Sequence, residues 1–132
     1  MMNSFSAEPI ITVDVKNKKK PFVLQNNIEY ISEKYNGKHY CIRIGRKYNW
    51  NGANIPRVFW RIVGSQYDPQ FLPASCIHDW LTENKDFIKK RGAYTSSAIF
   101  RDILVLYGVP KFKANLMFSA VYAFQLTRKG WH

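Results

Sequence analysis

Hydrophobic and polar positions alternate in the first third of the chain and recur at helical spacing in the remainder. Ile10–Val15 is rich in β-branched residues and lies between Pro9 and the Lys16–Lys20 run, which predicts a strand. Phe22–Leu24 and Ile28–Ile31 are short apolar pieces of the same kind. Asn36-Gly37 is a hairpin signal between Ile28–Tyr35 and His39–Ile44. In the second arm Tyr40, Ile42 and Ile44 alternate with His39, Cys41 and Arg43, the pattern of a half-buried strand.

Beyond residue 47 the period changes. Pro56 suits the first position of a short helix over Arg57–Val63, and Asp68-Pro69 reads as a capped start or turn. Pro73 opens a helix to about Glu83 that places Ala74, Ile77 and Leu81 on one side. A helix over Thr95–Tyr107 would bury Ile99, Phe100, Ile103 and Leu106 and stop at Gly108. Lys111–Thr127 is a last helix, apolar nearly all round, as helices are when central in a core or covered by a partner. The expected fold is α+β: a small N-terminal antiparallel sheet or hairpins, followed by three to four packed helices. The expected organisation is a single domain over 1–132, with 1–47 mainly strands and 48–132 a loop plus helices.

Composition sharpens this picture. A chain of 132 residues can bury a core without staples, and 16% aromatic residues argue against disorder. Cys41 and Cys76 do not make a disulfide framework and read as small hydrophobes, with one bridge left open. The opening residues lack a basic, then apolar, leader, and Ala114–Leu126 is shorter than the roughly 20 residues a membrane span needs. Both features point to the cytoplasm. Lys and Arg total 20 against 9 Asp and Glu, a net charge of +11, so polyanions are attracted. Lys16, Lys18, Lys19, Lys20, Lys89, Lys90 and Arg91 are candidate contacts to nucleic acid or another polyanion, or simply solvated faces. No phosphate-cradling glycine loop, nucleophile elbow or Cys/His metal spacing occurs, and no cofactor is expected.

Two constellations can carry chemistry. Asn49–Arg57 puts Asn51, Gly52 and Asn54 between aromatics, with Arg57 on the first turn after Pro56 and Trp60 behind it. This is either a ligand loop, with Trp50, Asn51, Asn54, Trp60 and Trp80 as binding candidates, or a turn whose Asn side chains bond its own backbone. His78-Asp79 lies inside a helix, its two side chains about 100° apart, so His78 would border the apolar face while Asp79 points elsewhere. The pair is either an acid/base or metal pair, or a core-edge His bonded to backbone with Asp79 neutralising Arg57 or Arg91. Ser96-Ser97 reads first as helix capping, and Asp102 as a flank residue.

Read together, Asn51-Gly52-Ala53-Asn54-Ile55-Pro56-Arg57-Val58-Phe59-Trp60, then Ser75-Cys76-Ile77-His78-Asp79-Trp80-Leu81, then Ala98-Ile99-Phe100 and Gly108-Val109 resemble domain of unknown function 1353. This is an uncharacterised family of bacteriophage and prophage proteins. Arg57, His78 and Asp79 match its pattern, whereas Asn51, Asn54 and Ser97 stand where the family has Asp, Ser and Asp. Loss of two carboxylates would weaken any hold on a hard cation, yet Asn retains an acceptor oxygen for a hydrogen-bond network.

The resemblance implies a phage or prophage origin. The expectation is a small basic accessory protein, virion- or tail-associated or an assembly component. It would act on a phage or host protein by binding rather than catalysis, in the host cytoplasm or within the virion. One alternative is a cell-wall-directed or metal-assisted hydrolase using His78, Asp79 and Arg57. Another is a nucleic-acid-binding or host-directed inhibitor.

Overall fold

The computed structural model describes residues 3–35, 37–50, 69–89 and 91–127. The chain divides into two compact units, Met1–Gly52 and Ala53–His132. The first holds β1 (Ser4–Phe5), β2 (Ile11–Val13), β3 (Phe22–Leu24), β4 (Ile28–Tyr35), β5 (Lys38–Ile44) and β6 (Asn49–Trp50). The second holds a 3-10 turn (Pro69–Phe71), α1 (Leu72–Glu83), a second 3-10 turn (Lys85–Phe87), α2 (Gly92–Leu106) and α3 (Lys111–Thr127). The architecture is α+β: two small antiparallel sheets, then three helices. The expected helix over 57–63 lies outside the described residues.

The strands form two three-stranded sheets, ordered β1-β4-β5 and β2-β3-β6. Alternation fixes the register of the β4–β5 hairpin. Ile28 pairs with Ile44 and Tyr30 with Ile42, all four buried, while Glu29 opposite Arg43 faces outward. Gly37 takes φ +83° in the connecting turn, a conformation glycine adopts without steric cost. The ladder shifts between Ile31 and Lys34, and the buried Ser32 repairs it. Its hydroxyl accepts from the Tyr40 amide at 2.8 Å and donates to the Glu33 carbonyl at 2.6 Å. On β4 the Tyr30 hydroxyl also receives a bond from buried Asn3 at 2.6 Å.

The helical unit is built on α2, which packs against α1 and α3. The expected start of α2 at Thr95 is corrected to Gly92. Arg91 precedes it in a left-handed conformation, φ 56°, and its carbonyl accepts from the Thr95 amide. Ser96 and Ser97 are therefore interior to the helix and do not cap it. Ser96 Oγ instead donates back to the Ala93 carbonyl at 3.2 Å. Gly108, at φ +91°, closes the C-terminal end, with the Val109 amide bonded to the Leu104 carbonyl. On α3 the buried positions are Ala114, Met117, Ala120, Val121 and Gln125, one face at helical spacing. Both cysteines are free thiols, Cys41 exposed and Cys76 buried.

Candidate functional site

The residues singled out by sequence fall in both units. Trp50 is fully buried in the first, paired across the ladder with Phe22 and stacked on Tyr48 at 5.8 Å between centroids. Its ring is part of the core of that unit. Asn51, Asn54, Arg57 and Trp60 lie outside the described residues.

His78, Asp79 and Trp80 sit on α1. Its sequence favours burial on two sides, and Pro73 through Asp79 and Leu81 are all buried. Asp79 consequently does not point away from the core as its 100° offset suggested, since its side chain is 11% exposed against 2% for His78. The His78 ring leans on Phe100 of α2, 5.4 Å between centroids. Its Nε2 accepts a 3.1 Å hydrogen bond from Gln125 Nε2 on α3. With the amide so placed, the neutral ring carries its proton on Nδ1, the nitrogen 4.0 Å from Asp79 Oδ1. One imidazole thus joins all three helices.

The helical unit also buries polar side chains: Ser75, Thr95, Ser96 and Ser97 are buried, as are His78, Asp79 and Gln125. Ser75 Oγ donates to the Leu72 carbonyl at 3.0 Å, and Thr82 Oγ1 to the Asp79 carbonyl at 2.8 Å. Among the described residues, two buried side-chain atoms lack a partner: Ser97 Oγ and Gln125 Oε1. Ser97 lies three residues before Phe100, on the same side of α2. Burial, and secondarily the carboxylates of Asp79 and Glu83, push the Cys76 thiol well above its usual range. Among the described residues no group of three His, Cys, Asp or Glu side chains is placed to hold a metal ion.

Gln125 and Phe100 are the members sequence reading did not assign to the site. Gln125 is detectable in retrospect as the polar residue continuing the Ala114, Met117, Val121 face of α3. Trp80 stands apart from the His78 cluster. Half-buried, it meets Phe87 edge to face at 5.4 Å and, with Glu83, Asn84 and Asp86, lines an open recess of about 520 Å³.

The basic candidates are surface residues. Lys16, Lys18, Lys19 and Lys20 are exposed on the β2–β3 loop, which is ordered by bonds from the Lys16 amide to Asp14 and from the Lys20 amide to Asn17. Lys89 is exposed, and Arg91 is exposed with its guanidinium 4.8 Å from the Tyr94 ring centre. Lys90 lies outside the described residues. Asp102 pairs with Arg101 at 3.5 Å.

Comparison with known proteins places the chain in a family. The chain is 38% identical over 71 residues to uncharacterized protein y4jT of Sinorhizobium fredii, covering 54% of this chain and 20% of that protein. It is 35% identical over 74 residues to uncharacterized protein y4iH of the same organism, covering 56% of this chain and 29% of that protein. The matched part is thus under a third of either relative's length. No solved structure matches. The model of a family described as a protein of unknown function, DUF1353, matches residues 22–121. The chain therefore belongs to the DUF1353 family.

Proposed function

We propose that this chain is a phage- or prophage-encoded accessory protein that acts by binding, as a virion- or tail-associated or assembly component. The observation that carries the reading is the use of the His78 ring. A general base or metal ligand needs a nitrogen that a substrate or ion can reach. Here the ring is 2% exposed, one nitrogen is engaged by Gln125, and the other faces Asp79. That is how an imidazole is used to tie helices together.

The departures from the family pattern agree with this reading. Ser97 stands where the family has Asp, and its hydroxyl is buried without a partner. A carboxylate there would bring a negative charge next to the core, and the serine does not. The phage or prophage setting rests on the family resemblance, and the partner would be a phage or host protein.

Mass spectrometry of particles purified after induction tests the proposal. Recovery of the chain in stoichiometric amount supports it. Cell-wall hydrolysis by the purified protein, abolished in a folded His78→Gln variant, would overturn it in favour of a hydrolase.

A further inference from the structure

The turn between α2 and α3 presents apolar side chains to solvent where a water-soluble corner would be polar. Phe112 is 73% exposed, Leu106 40% and Val105 38%, all within the short stretch around Gly108-Val109-Pro110. Lys111 is exposed beside the phenyl ring. Lys113, on the other flank, is half-buried, with its ammonium 5.7 Å from the Phe71 ring centre. The sequence contains no Asp or Glu after Asp102, so no carboxylate side chain of α3 offsets these cations.

We propose that this corner, Val105–Lys113, is a docking point for an anionic lipid surface. A bilayer interface offers the two media the corner requires. The acyl boundary takes Phe112, Leu106 and Val105, and headgroup phosphates take Lys111. Lysine suits the second role because its methylene stem stays apolar while its ammonium reaches outward. An acidic partner helix would need a groove to lie in, and a turn joining two helices is a convex feature. Duplex nucleic acid would satisfy the lysine but presents its phosphate backbone to the phenyl ring, and a single-stranded base could stack on Phe112 yet would leave the aliphatic Leu106 and Val105 in water. One apolar tip plus a cation gives weak, reversible attachment, strengthened by the +11 charge of the chain. The inference stands apart from the reading of His78, and neither depends on the other.

Co-sedimentation with vesicles tests it, using the full chain and equal parts phosphatidylcholine and phosphatidylglycerol. The wild type should pellet with these vesicles, release as salt rises, and ignore vesicles of phosphatidylcholine alone. Phe112→Ser should lower partitioning about tenfold, the order expected for one buried aromatic side chain. Lys111→Gln should lower it about fivefold, one juxtamembrane cation's worth. Thermal melts of the variants should match wild type, because both sites are exposed. Should Phe112→Ser melt early, Val105→Ser repeats the test in the same corner. Partitioning unchanged by these serine variants would mean that net charge alone attracts the protein, which overturns the proposal. Absence of binding at low salt overturns it too, as does Phe112-dependent capture of an acidic helical peptide by a protein that ignores vesicles.

Discussion

Replacing His78 by alanine should remove the piece that joins the three helices. The ring is 2% exposed and packs on Phe100, so its deletion leaves a cavity about the size of an imidazole. Large-to-small changes in such positions cost about 2–3 kcal/mol at least. The Gln125 side-chain amide also loses its bond to the ring. Stranding a buried donor adds about 1 kcal/mol or more. The sum is about 3–4 kcal/mol, which for a chain of this length lowers the melting temperature by roughly 10–15 °C. Circular dichroism melts of wild type and variant, side by side, measure it. The pair His78→Leu with Gln125→Met supplies the internal control. It removes both polar partners together and fills the space, so most of the loss should return, with a coupling of about 1 kcal/mol or more against the single changes. A His78→Ala protein melting within about 2 °C of wild type, or above it, would refute the reasoning. The helices would then be carrying the imidazole for something other than their own stability.

Other consequences follow from the same geometry. Ser97→Ala removes a buried, unpartnered hydroxyl from a helix interior and should stabilise by about 1 kcal/mol in urea titration; a loss of stability would show that the hydroxyl has a partner. Ser32→Ala removes the hydroxyl that bonds the Tyr40 amide and the Glu33 carbonyl at the β4–β5 irregularity and should cost about 1 kcal/mol in the same measurement. Cys41 should react with a thiol reagent in the native protein, while Cys76 stays silent until denaturant is added. The raised Cys76 thiol also has a pH signature. Above the ordinary thiol value of 9.0 the unfolded chain releases this proton and the folded one keeps it, so stability falls as pH rises. Cys76→Ala should flatten that alkaline limb by at most about 1.4 kcal/mol per pH unit, read from denaturant titrations across the range.

Much of the fold was legible because the relevant signals are local. The alternation of Tyr40, Ile42 and Ile44 marks β5, and α3 starts at Lys111 as its apolar pattern does. The two-residue strands β1 and β6 were not legible, since their only support is pairing with β4 and β3 across distant sequence. The start of α2 was misplaced because serine near a helix start usually caps it, whereas here the Ser96 hydroxyl turns back to Ala93 and the left-handed Arg91 precedes the helix. His78 is singled out in the sequence by its place beside the apolar face. Its environment is not, because Gln125 lies 47 positions away and nothing local announces their bond. The burial of Asp79 was missed for a related reason. A one-sided helix would have exposed it, and α1 is buried on more than one side.

In the proposed reading His78 is an interior fastening that no substrate reaches. Acylation of histidine by diethyl pyrocarbonate, mapped by peptide mass spectrometry over time, measures that access. His39 is only half-buried and serves as the reference within the same molecule. His78 should stay unmodified in the native protein while His39 is consumed, and should react once the chain is unfolded. Modification of native His78 at a rate comparable to His39 would mean that the imidazole is accessible and would reopen the case for catalysis.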